Sequence, residues 1–169
     1  MKIILCPGSA ENQKFKRWPI IKFNQLGKEL LALGYDISIV LGPEEGYLSS
    51  SFSEFKIEQS LSFQDLKVKG LTSNLVICND SFLLHFFSFI EVNILALYGP
   101  TDSSRTLPPN ASMITSKKPS STKPCWGSKN YGECSHGICS CFEGLEVEDV
   151  VNKISKILDN ANIFNNLPL

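Results

Sequence analysis

The sequence contains no long hydrophobic run. Its longest apolar stretch, residues 82–90, has nine residues and includes His85 and Ser88. A helix that spans a bilayer needs about twenty apolar residues. The first apolar run is four residues long and no cleavage-like site follows it, so a signal peptide is not expected either. These absences predict a soluble, cytoplasmic protein.

The sequence also has little excess charge of either sign. Sixteen basic and seventeen acidic residues leave a formal charge of −1. A domain that binds nucleic acid through a strongly basic surface would be far more positive, so nucleic acid is not an expected partner. The chain has 169 residues, 43% of them hydrophobic, which is enough to bury a core without disulfides. We expect one domain.

No two cysteines are separated by two residues, which is the spacing typical of structural zinc sites. Four of the six cysteines lie close together near the C-terminus: Cys125, Cys134, Cys139 and Cys141. His136 could add a ligand, so a zinc-stabilised interaction domain is one alternative. Stable disulfides are uncommon in the cytosol. We therefore expect residues 125–141 to form a cysteine- and glycine-rich structural loop with reduced thiols and no metal.

Short apolar runs, each ended by turn-forming or small polar residues, predict buried strands. They cover residues 2–6 (KIILC), 36–41 (DISIVL), 74–78 (NLVIC) and 93–98 (NILALY), with a further short strand at 111–115. The spacing of apolar residues predicts helices at 20–33, 81–90 and 147–158. Continuous apolar strands separated by helices are typical of a parallel sheet covered on both faces. The predicted fold is a Rossmann-like, doubly wound α/β domain.

Ligands of such sheets bind at the carboxyl ends of the strands. The predicted ends carry small, polar or turn-forming residues: 7–9 (PGS), 42–44 (GPE), 79–81 (NDS) and 99–101 (GPT). We expect the binding site at this edge.

The loop after the first predicted strand carries three cations, Lys14, Lys16 and Arg17. Cations at the carboxyl edge of a sheet suit a phosphate or diphosphate, to which Ser9 and the backbone amides of the turn could add hydrogen bonds. The alternative is an ordinary solvated basic loop, in which Trp18 packs the next helix against the sheet.

The third predicted strand leads into a helix with a polar face. Ser81, His85 and Ser88 lie at helical spacing on that face, directly after Asp80. The helix N-terminus would offer N–H groups and a positive dipole end to an anion. The alternative is that Asp80 or Asn79 caps the helix and His85 is a satisfied core histidine.

Two glutamates, Glu44 and Glu45, follow the second predicted strand. Many nucleotide-binding α/β domains hydrogen-bond a ribose from this position. The alternative is that both are simply acidic residues in the first turn of a helix.

Four motifs occur in an order that resembles one known family. They are residues 7–10 (PGSA) with 16–19 (KRWP), residues 79–81 (NDS) with His85, residues 97–102 (LYGPTD), and the cysteine-rich loop followed by 148–150 (EDV). Together they resemble the C-terminal domain of glycosyltransferase family 9, the ADP-heptose:lipopolysaccharide heptosyltransferases and their relatives.

The resemblance implies the nucleotide-sugar-binding half of a GT-B glycosyltransferase, at residues 1–160, followed by a tail at 161–169. It implies that Lys16 contacts the diphosphate of an ADP-sugar such as ADP-heptose, with Ser9 nearby. Further donor-binding residues implied by the motifs are Glu44 or Glu45 at the ribose, Asp80, Ser81 and His85 at the sugar and phosphates, and Thr101. The reaction implied is sugar transfer to a lipopolysaccharide core acceptor without a metal or other cofactor.

Two places depart from the family motif: Phe82 follows Asp-Ser, and Phe86, Phe87 and Ser88 follow the histidine, where the family has small residues. Phe82 stands where the family has a glycine after Asp-Ser. A glycine at a helix start lets a ligand approach the backbone closely. We expect the phenyl group either to narrow the pocket or to change the sugar that is preferred.

The family's acceptor-binding N-terminal domain, which supplies the catalytic base, has no counterpart in these 169 residues. We therefore assign no catalytic residue, and expect a donor-binding half that is an excised domain, one part of a split enzyme with a separate N-terminal half, or a remnant of such an enzyme. Its place of action would be the cytoplasm or the inner membrane face. The alternative is a non-catalytic nucleotide- or sugar-phosphate-binding module.

Overall fold

The computed structural model describes residues 1–117, 125 and 140–165, with only the backbone described for 161–165. Its strands are β1 (Lys2–Cys6), β2 (Asp36–Leu41), β3 (Lys56–Gln59), β4 (Leu75–Asn79), β5 (Ile94–Tyr98) and β6 (Ala111–Thr115). Its α-helices are α1 (Ile20–Ala32), α2 (Phe63–Leu71), α3 (Phe82–Phe89), α4 (Ser103–Thr106) and α5 (Val147–Asn165). Segments of 3-10 helix cover Glu11–Lys16, Pro43–Phe52 and Ser140–Phe142.

All six strands are parallel and lie in the order β3-β2-β1-β4-β5-β6. The chain starts at the centre of the sheet, adds strands toward one edge, and then returns to add strands toward the other. This is the doubly wound arrangement of a Rossmann-like fold. The fold class predicted from the apolar runs is confirmed.

Side chains of β1 alternate between two hydrophobic cores. Ile3 and Leu5 belong to a core that also contains apolar residues of α1 and α5. Ile4 and Cys6 belong to a second core, to which α2 and α3 contribute. Because both faces of the sheet are covered, its strands are apolar throughout rather than alternating.

A glycine ends α1 where the sequence predicted. Gly34 has a φ of 84°, a left-handed conformation that suits glycine, and its N–H donates to the carbonyl of Leu31. The N–H of Tyr35 donates to Leu30 in the same turn. The chain can therefore reverse directly into β2.

Neither β3 nor α2 was predicted from the sequence, and the short helix α4 and the 3-10 segments were not predicted either. The residues of β3 (KIEQ) are mostly polar because this strand lies at the edge of the sheet. Helix α2 has nine residues and buries only Leu66 and Gly70, so its apolar pattern is weak. At the other end of the chain, α5 continues to Asn165, past the tail predicted from residue 161; no proline occurs in it to stop the helix.

No helix in the described part of the chain has the length and apolar character needed to cross a membrane.

Candidate functional site

Asn79 ties the carboxyl ends of β1 and β4 together. It is fully buried, and its side-chain amide donates to the carbonyls of Pro7 and Gly8 at 2.9 and 3.1 Å. Its Oδ1 accepts a hydrogen bond from the N–H of Trp18 at 2.9 Å. These bonds fix the turn after β1 beside the residues that follow β4. Asn79 is therefore structural, a role that its place among the polar strand-end residues could have suggested.

Trp18 anchors α1. Its ring is fully buried, packs edge-on against Phe23 with a centroid separation of 5.2 Å, and donates from Nε1 to the carbonyl of Leu145. It packs the next helix against the sheet, as the alternative interpretation of this residue predicted.

A cavity of about 620 Å³ opens at the carboxyl edge of the sheet. Its lining comes from four places: the turn after β1, the loop after β2, the loop that leads into α2, and the start of α3. Ser9, Glu44, Glu45 and Ser81 are predicted site residues in this lining. The cavity thus lies where the strand ends predicted a binding site.

Lys16, Asp80 and His85 form a charged group at the end of β4. Lys16 Nζ lies 3.0 Å from Asp80 Oδ2 in an ion pair, and both side chains are largely buried. His85 Nε2 lies 4.0 Å from Asp80 Oδ1. The His85 side chain is 54% exposed, so the alternative of a buried core histidine is wrong. The structure therefore brings together three residues that the sequence placed on different segments.

Two buried hydroxyl groups at the same edge of the sheet have no hydrogen-bond partner among the described residues. They are Ser81 Oγ, at the start of α3, and Thr101 Oγ1, after β5. Asp80 Oδ2 also lacks a well-aligned hydrogen bond, although it pairs with Lys16. Leaving a buried hydroxyl unbonded costs about 1–3 kcal/mol. A ligand that carries hydrogen-bonding oxygens would remove this cost.

The other two predicted phosphate-binding cations have partners within the protein. Arg17 is buried, and it donates from Nε to Ser9 Oγ at 3.0 Å and from a terminal nitrogen to the Ser9 carbonyl at 2.6 Å. Arg17 also donates to the hydroxyl of Tyr47. Lys14 forms an exposed ion pair with Glu11. Of the three cations, Lys16 is the one that pairs with Asp80 at the end of β4.

Ser9 has its hydroxyl engaged in the same loop. Ser9 Oγ donates to the carbonyl of Gln13 at 3.0 Å and accepts the Arg17 hydrogen bond. These bonds hold the 3-10 segment against the turn after β1. Sequence reasoning did not predict this use of Ser9 and Arg17.

The two glutamates after β2 have different surroundings. Glu45 Oε2 accepts a hydrogen bond from the N–H of Gly42 at 2.7 Å. Its carboxylate also lies against Gly8, where an added Cβ would come within 2.0 Å of it. Glu44 is exposed at the cavity. Glu45 is thus held within the loop after β2, against the turn after β1, whereas Glu44 is exposed at the cavity.

The predicted cysteine-rich loop is described only in part. Cys125 and Cys141 are buried, whereas Cys134, Cys139 and His136 lie outside the described residues. Within the described residues, no group of three or more potential metal ligands occurs. The absence of a metal in this loop stays a prediction.

Six parallel strands with a cleft across their carboxyl ends define a Rossmann-like domain, a type that holds its ligands at that edge. A family model described as glycosyltransferase family 9 (heptosyltransferase) matches residues 1–136. The match covers most of the chain, and the chain belongs to this family. The resemblance drawn from the four motifs is confirmed.

Individual relatives agree with this assignment. The chain is 30% identical over 113 residues to lipooligosaccharide heptosyltransferase 2 of Haemophilus influenzae, covering 61% of this chain and 32% of the relative. Its fold matches the E. coli ADP-heptose LPS heptosyltransferase II with a TM-score of 0.74 and 17% identity, over 95% of this chain and 47% of that one. It also matches TibC, a dodecameric iron-containing heptosyltransferase from enterotoxigenic E. coli H10407 solved with ADP-D-beta-D-heptose. That match has a TM-score of 0.67 and 14% identity, over 93% of this chain and 45% of that one.

The chain spans about a third of the length of the curated relative and about half that of the solved ones.

Proposed function

We propose that this chain is the donor-binding half of a heptosyltransferase-like glycosyltransferase, and that it binds an ADP-sugar such as ADP-heptose. The observation that carries the proposal is the ion pair of Lys16 with Asp80 at the carboxyl edge of the sheet, the edge that also has two unbonded buried hydroxyls and a 620 Å³ cavity lined by Ser81. This arrangement occurs in a chain of glycosyltransferase family 9. The acceptor would be a lipopolysaccharide core, and the place of action the cytoplasmic face of the inner membrane.

The diphosphate is expected to bind between Lys16 and the start of α3. The Lys16 ammonium supplies a positive charge, and Asp80 keeps it beside β4. The first N–H groups of α3 and the free hydroxyls of Ser81 and Thr101 are suited to phosphate oxygens. This role would explain why both hydroxyls are buried without a partner inside the protein.

The ribose is expected to bind at the other part of the cavity, near the loop after β2. Glu45 already accepts a hydrogen bond from Gly42 and lies against Gly8. Glu44 is exposed at the cavity and is the better candidate for a ribose hydroxyl. Of the two glutamates that the sequence left open, we therefore propose Glu44 for the ribose.

His85 lies on the exposed side of the Lys16–Asp80 pair, where it could stabilise the leaving diphosphate. In the transfer, the bond between the sugar C1 and the phosphate oxygen breaks, and a bond from an acceptor oxygen to C1 forms. The acceptor hydroxyl must lose its proton to a base about 3 Å away. We assign no such base within the described residues, and propose that an acceptor-binding half supplies it. We further propose that no resident metal takes part.

Calorimetry with ADP and with ADP-heptose tests this proposal. Lys16→Ala removes a charge-assisted hydrogen bond worth about 1.5–3 kcal/mol, which is roughly a 10- to 100-fold loss of affinity. The matched control is Lys28→Ala on α1, because Lys28 forms an exposed ion pair with Glu54 and does not line the cavity. Affinity for ADP that is the same in both variants, or no binding by the unsubstituted chain, would contradict the proposal.

A further inference from the structure

A second cavity lies at the amino edge of the sheet, opposite the candidate donor site. It has a volume of about 110 Å³ and lies between the starts of β1, β2 and β3 and the end of α2. Its lining is polar apart from one isoleucine: Lys2, Ile4, Asp36, Ser38, Lys56, Lys69, Thr72 and Ser73. We call it the amino-edge cavity. It is much smaller than the 620 Å³ cavity at the carboxyl edge, so it suits a small ion rather than a nucleotide.

Three lysines line the amino-edge cavity. Lys2 and Lys56 are the first residues of β1 and β3, and Lys69 lies in the last turn of α2. Glu58 holds two of them together, because its Oε1 lies 3.0 Å from Lys56 Nζ and 2.6 Å from Lys69 Nζ. The ammonium group of Lys2 has no ion-pair partner within the described residues. Lys2 is therefore free to bind a ligand.

Positive charge exceeds negative charge at this cavity. The lining has one carboxylate, that of Asp36, against three ammonium groups. Glu58 lies behind Lys56 and Lys69 and does not line the cavity, and counting it still leaves one positive charge in excess. The charges therefore favour an anion.

The end of α2 is prepared for such an anion. Carbonyl groups at the C-terminus of a helix carry partial negative charge, which repels anions. Here the Thr72 hydroxyl donates to the carbonyl of Val68 at 2.9 Å, and the Ser73 hydroxyl donates to the carbonyl of Gly70 at 2.7 Å. These hydrogen bonds and the nearby Lys69 offset the negative end of the helix.

One buried hydroxyl in the lining lacks a partner. Ser38 on β2 is 7% exposed, and its hydroxyl makes no hydrogen bond within the described part of the chain. The sheet register places Ser38 between Ile4 of β1 and Lys56 of β3, so its side chain lies in the same row as a cavity lysine. A buried hydroxyl without a hydrogen bond destabilises the protein. An oxyanion in the cavity would accept a hydrogen bond from it.

We propose that the amino-edge cavity binds a phosphate group, either that of inorganic phosphate or that of a small phosphate monoester. Lys2, Lys56 and Lys69 supply the positive charge, and the hydroxyl of Ser38 donates a hydrogen bond to a phosphate oxygen. A tetrahedral anion suits donors that converge from three strands and a helix. The site is separate from the proposed donor site, because the two cavities share no lining residue.

Calorimetric titration with inorganic phosphate and with glycerol 3-phosphate, at constant ionic strength, tests this proposal. The full 169-residue chain carries Lys16→Ala in every titration, so that the proposed diphosphate site does not contribute. In this background, Lys2→Ala and Ser38→Ala should each weaken phosphate binding about 10-fold or more, the usual effect of losing a hydrogen bond to a charged group. The matched control is Lys28→Ala, because Lys28 lines neither cavity and should leave the affinity unchanged.

The two probes distinguish the sources of the phosphate. Binding of inorganic phosphate alone would assign the site to the free ion, whereas comparable binding of glycerol 3-phosphate would show that the cavity accepts a phosphate carried by a larger molecule. Absence of binding by both probes would overturn the proposal. So would equal affinities in the Lys2→Ala, Ser38→Ala and Lys28→Ala proteins.

Thermal unfolding gives a readout that a purely structural serine would not reproduce. Without phosphate, Ser38→Ala should raise the Tm by about 2–4 °C, because it removes the unbonded buried hydroxyl. With phosphate, the parent protein should gain more in Tm than the Ser38→Ala protein does. An equal gain in both would contradict the role of Ser38. None of these outcomes bears on the proposed donor-binding function, which is measured by ADP binding with Lys16 intact.

Discussion

At the scale of single residues, the turn after β1 leaves little room for a side chain. A Cβ at Gly8 would lie 1.9 to 2.0 Å from the atoms of the Glu45 carboxylate. The glutamate can move away, but it then gives up its 2.7 Å hydrogen bond from the N–H of Gly42. Gly8 and Glu45 should therefore depend on each other.

Gly8→Ala is expected to lower the free energy of unfolding by about 1.5–3 kcal/mol, the cost of losing a hydrogen bond to a charged group. Glu45→Ala removes the same hydrogen bond and should cost a similar amount. The double variant should be much less destabilised than the sum of the two, because Glu45→Ala also removes the clash. Urea denaturation of all four proteins measures this, and strictly additive losses would contradict it.

Two thiols inside the sheet should be chemically inert. Cys6 and Cys78 are register neighbours on β1 and β4, and both are fully buried. Burial raises the pKa of each thiol, and the neighbouring Cys78 and Glu45 raise the pKa of Cys6 further. A higher pKa means less thiolate, which is the reactive form.

Iodoacetamide at pH 8 should therefore leave Cys6 and Cys78 unmodified in the folded protein and alkylate both in urea. Peptide mapping by mass spectrometry distinguishes them from the other cysteines. Rapid alkylation of either residue in the absence of denaturant would show that this part of the sheet is accessible.

At the scale of elements, an ion-pair network joins β3 to α2, two of the elements that were not predicted. Lys69 Nζ on α2 lies 2.6 Å from Glu58 Oε1, and Lys56 Nζ lies 3.0 Å from the same atom. Partial burial alone would raise the pKa of Glu58, but the hydrogen bonds from Lys69 and Lys56 outweigh it and hold that pKa below its usual value.

A carboxyl whose pKa is lowered by folding stabilises the folded state at neutral pH, and this contribution is lost as the pH falls through the folded pKa. Glu58→Gln is therefore expected to lower the free energy of unfolding by about 1 kcal/mol at pH 7. The difference should shrink below a pH of about 4, where the native carboxyl also becomes protonated. Thermal unfolding of both proteins from pH 3 to 8 tests this, and a difference that is constant with pH would contradict it.

The cysteine-rich loop gives a second prediction at this scale. We expect purified protein to contain less than one zinc per chain, and EDTA to leave its Tm unchanged. A structural zinc contributes about 10 kcal/mol or more, so its removal would be obvious. Metal analysis and thermal unfolding with and without EDTA provide the measurement. One zinc per chain that survives dialysis would overturn the prediction, and TibC shows that a heptosyltransferase can contain a metal.

Strands with a strong apolar pattern could be predicted from the sequence, whereas the polar strand at the edge of the sheet could not. The run at β1 is buried along most of its length, so its sequence is almost entirely apolar. The run at β3 lies at an edge and mixes lysine, glutamate and glutamine with one isoleucine. The gathering of Lys16, Asp80 and His85 followed from the rule that parallel strands end at one edge. The bonds of Arg17 did not, because its partner Tyr47 is thirty residues away and belongs to an unpredicted segment.

At the scale of the whole molecule, the candidate site is built from one wall only. The site suits a nucleoside diphosphate through its charged group, its unbonded hydroxyls and its cavity. All of these come from the carboxyl edge of one sheet. Transfer also needs an acceptor hydroxyl held in line with the sugar and a base close to it. The chain matches less than half the length of the solved heptosyltransferases described above.

The 169 residues alone are therefore expected to bind ADP-heptose without transferring the sugar. Binding should persist because every proposed donor contact lies within this sheet edge. Incubation with ADP-heptose and deeply truncated lipopolysaccharide should give no glycosylated product above background hydrolysis, as measured by mass spectrometry of the acceptor. Adding a separately expressed acceptor-binding half should restore product, and Lys16→Ala should then reduce it. Turnover by the 169 residues on their own would place the acceptor site and the base within this chain, and would overturn the proposal of a donor-binding half.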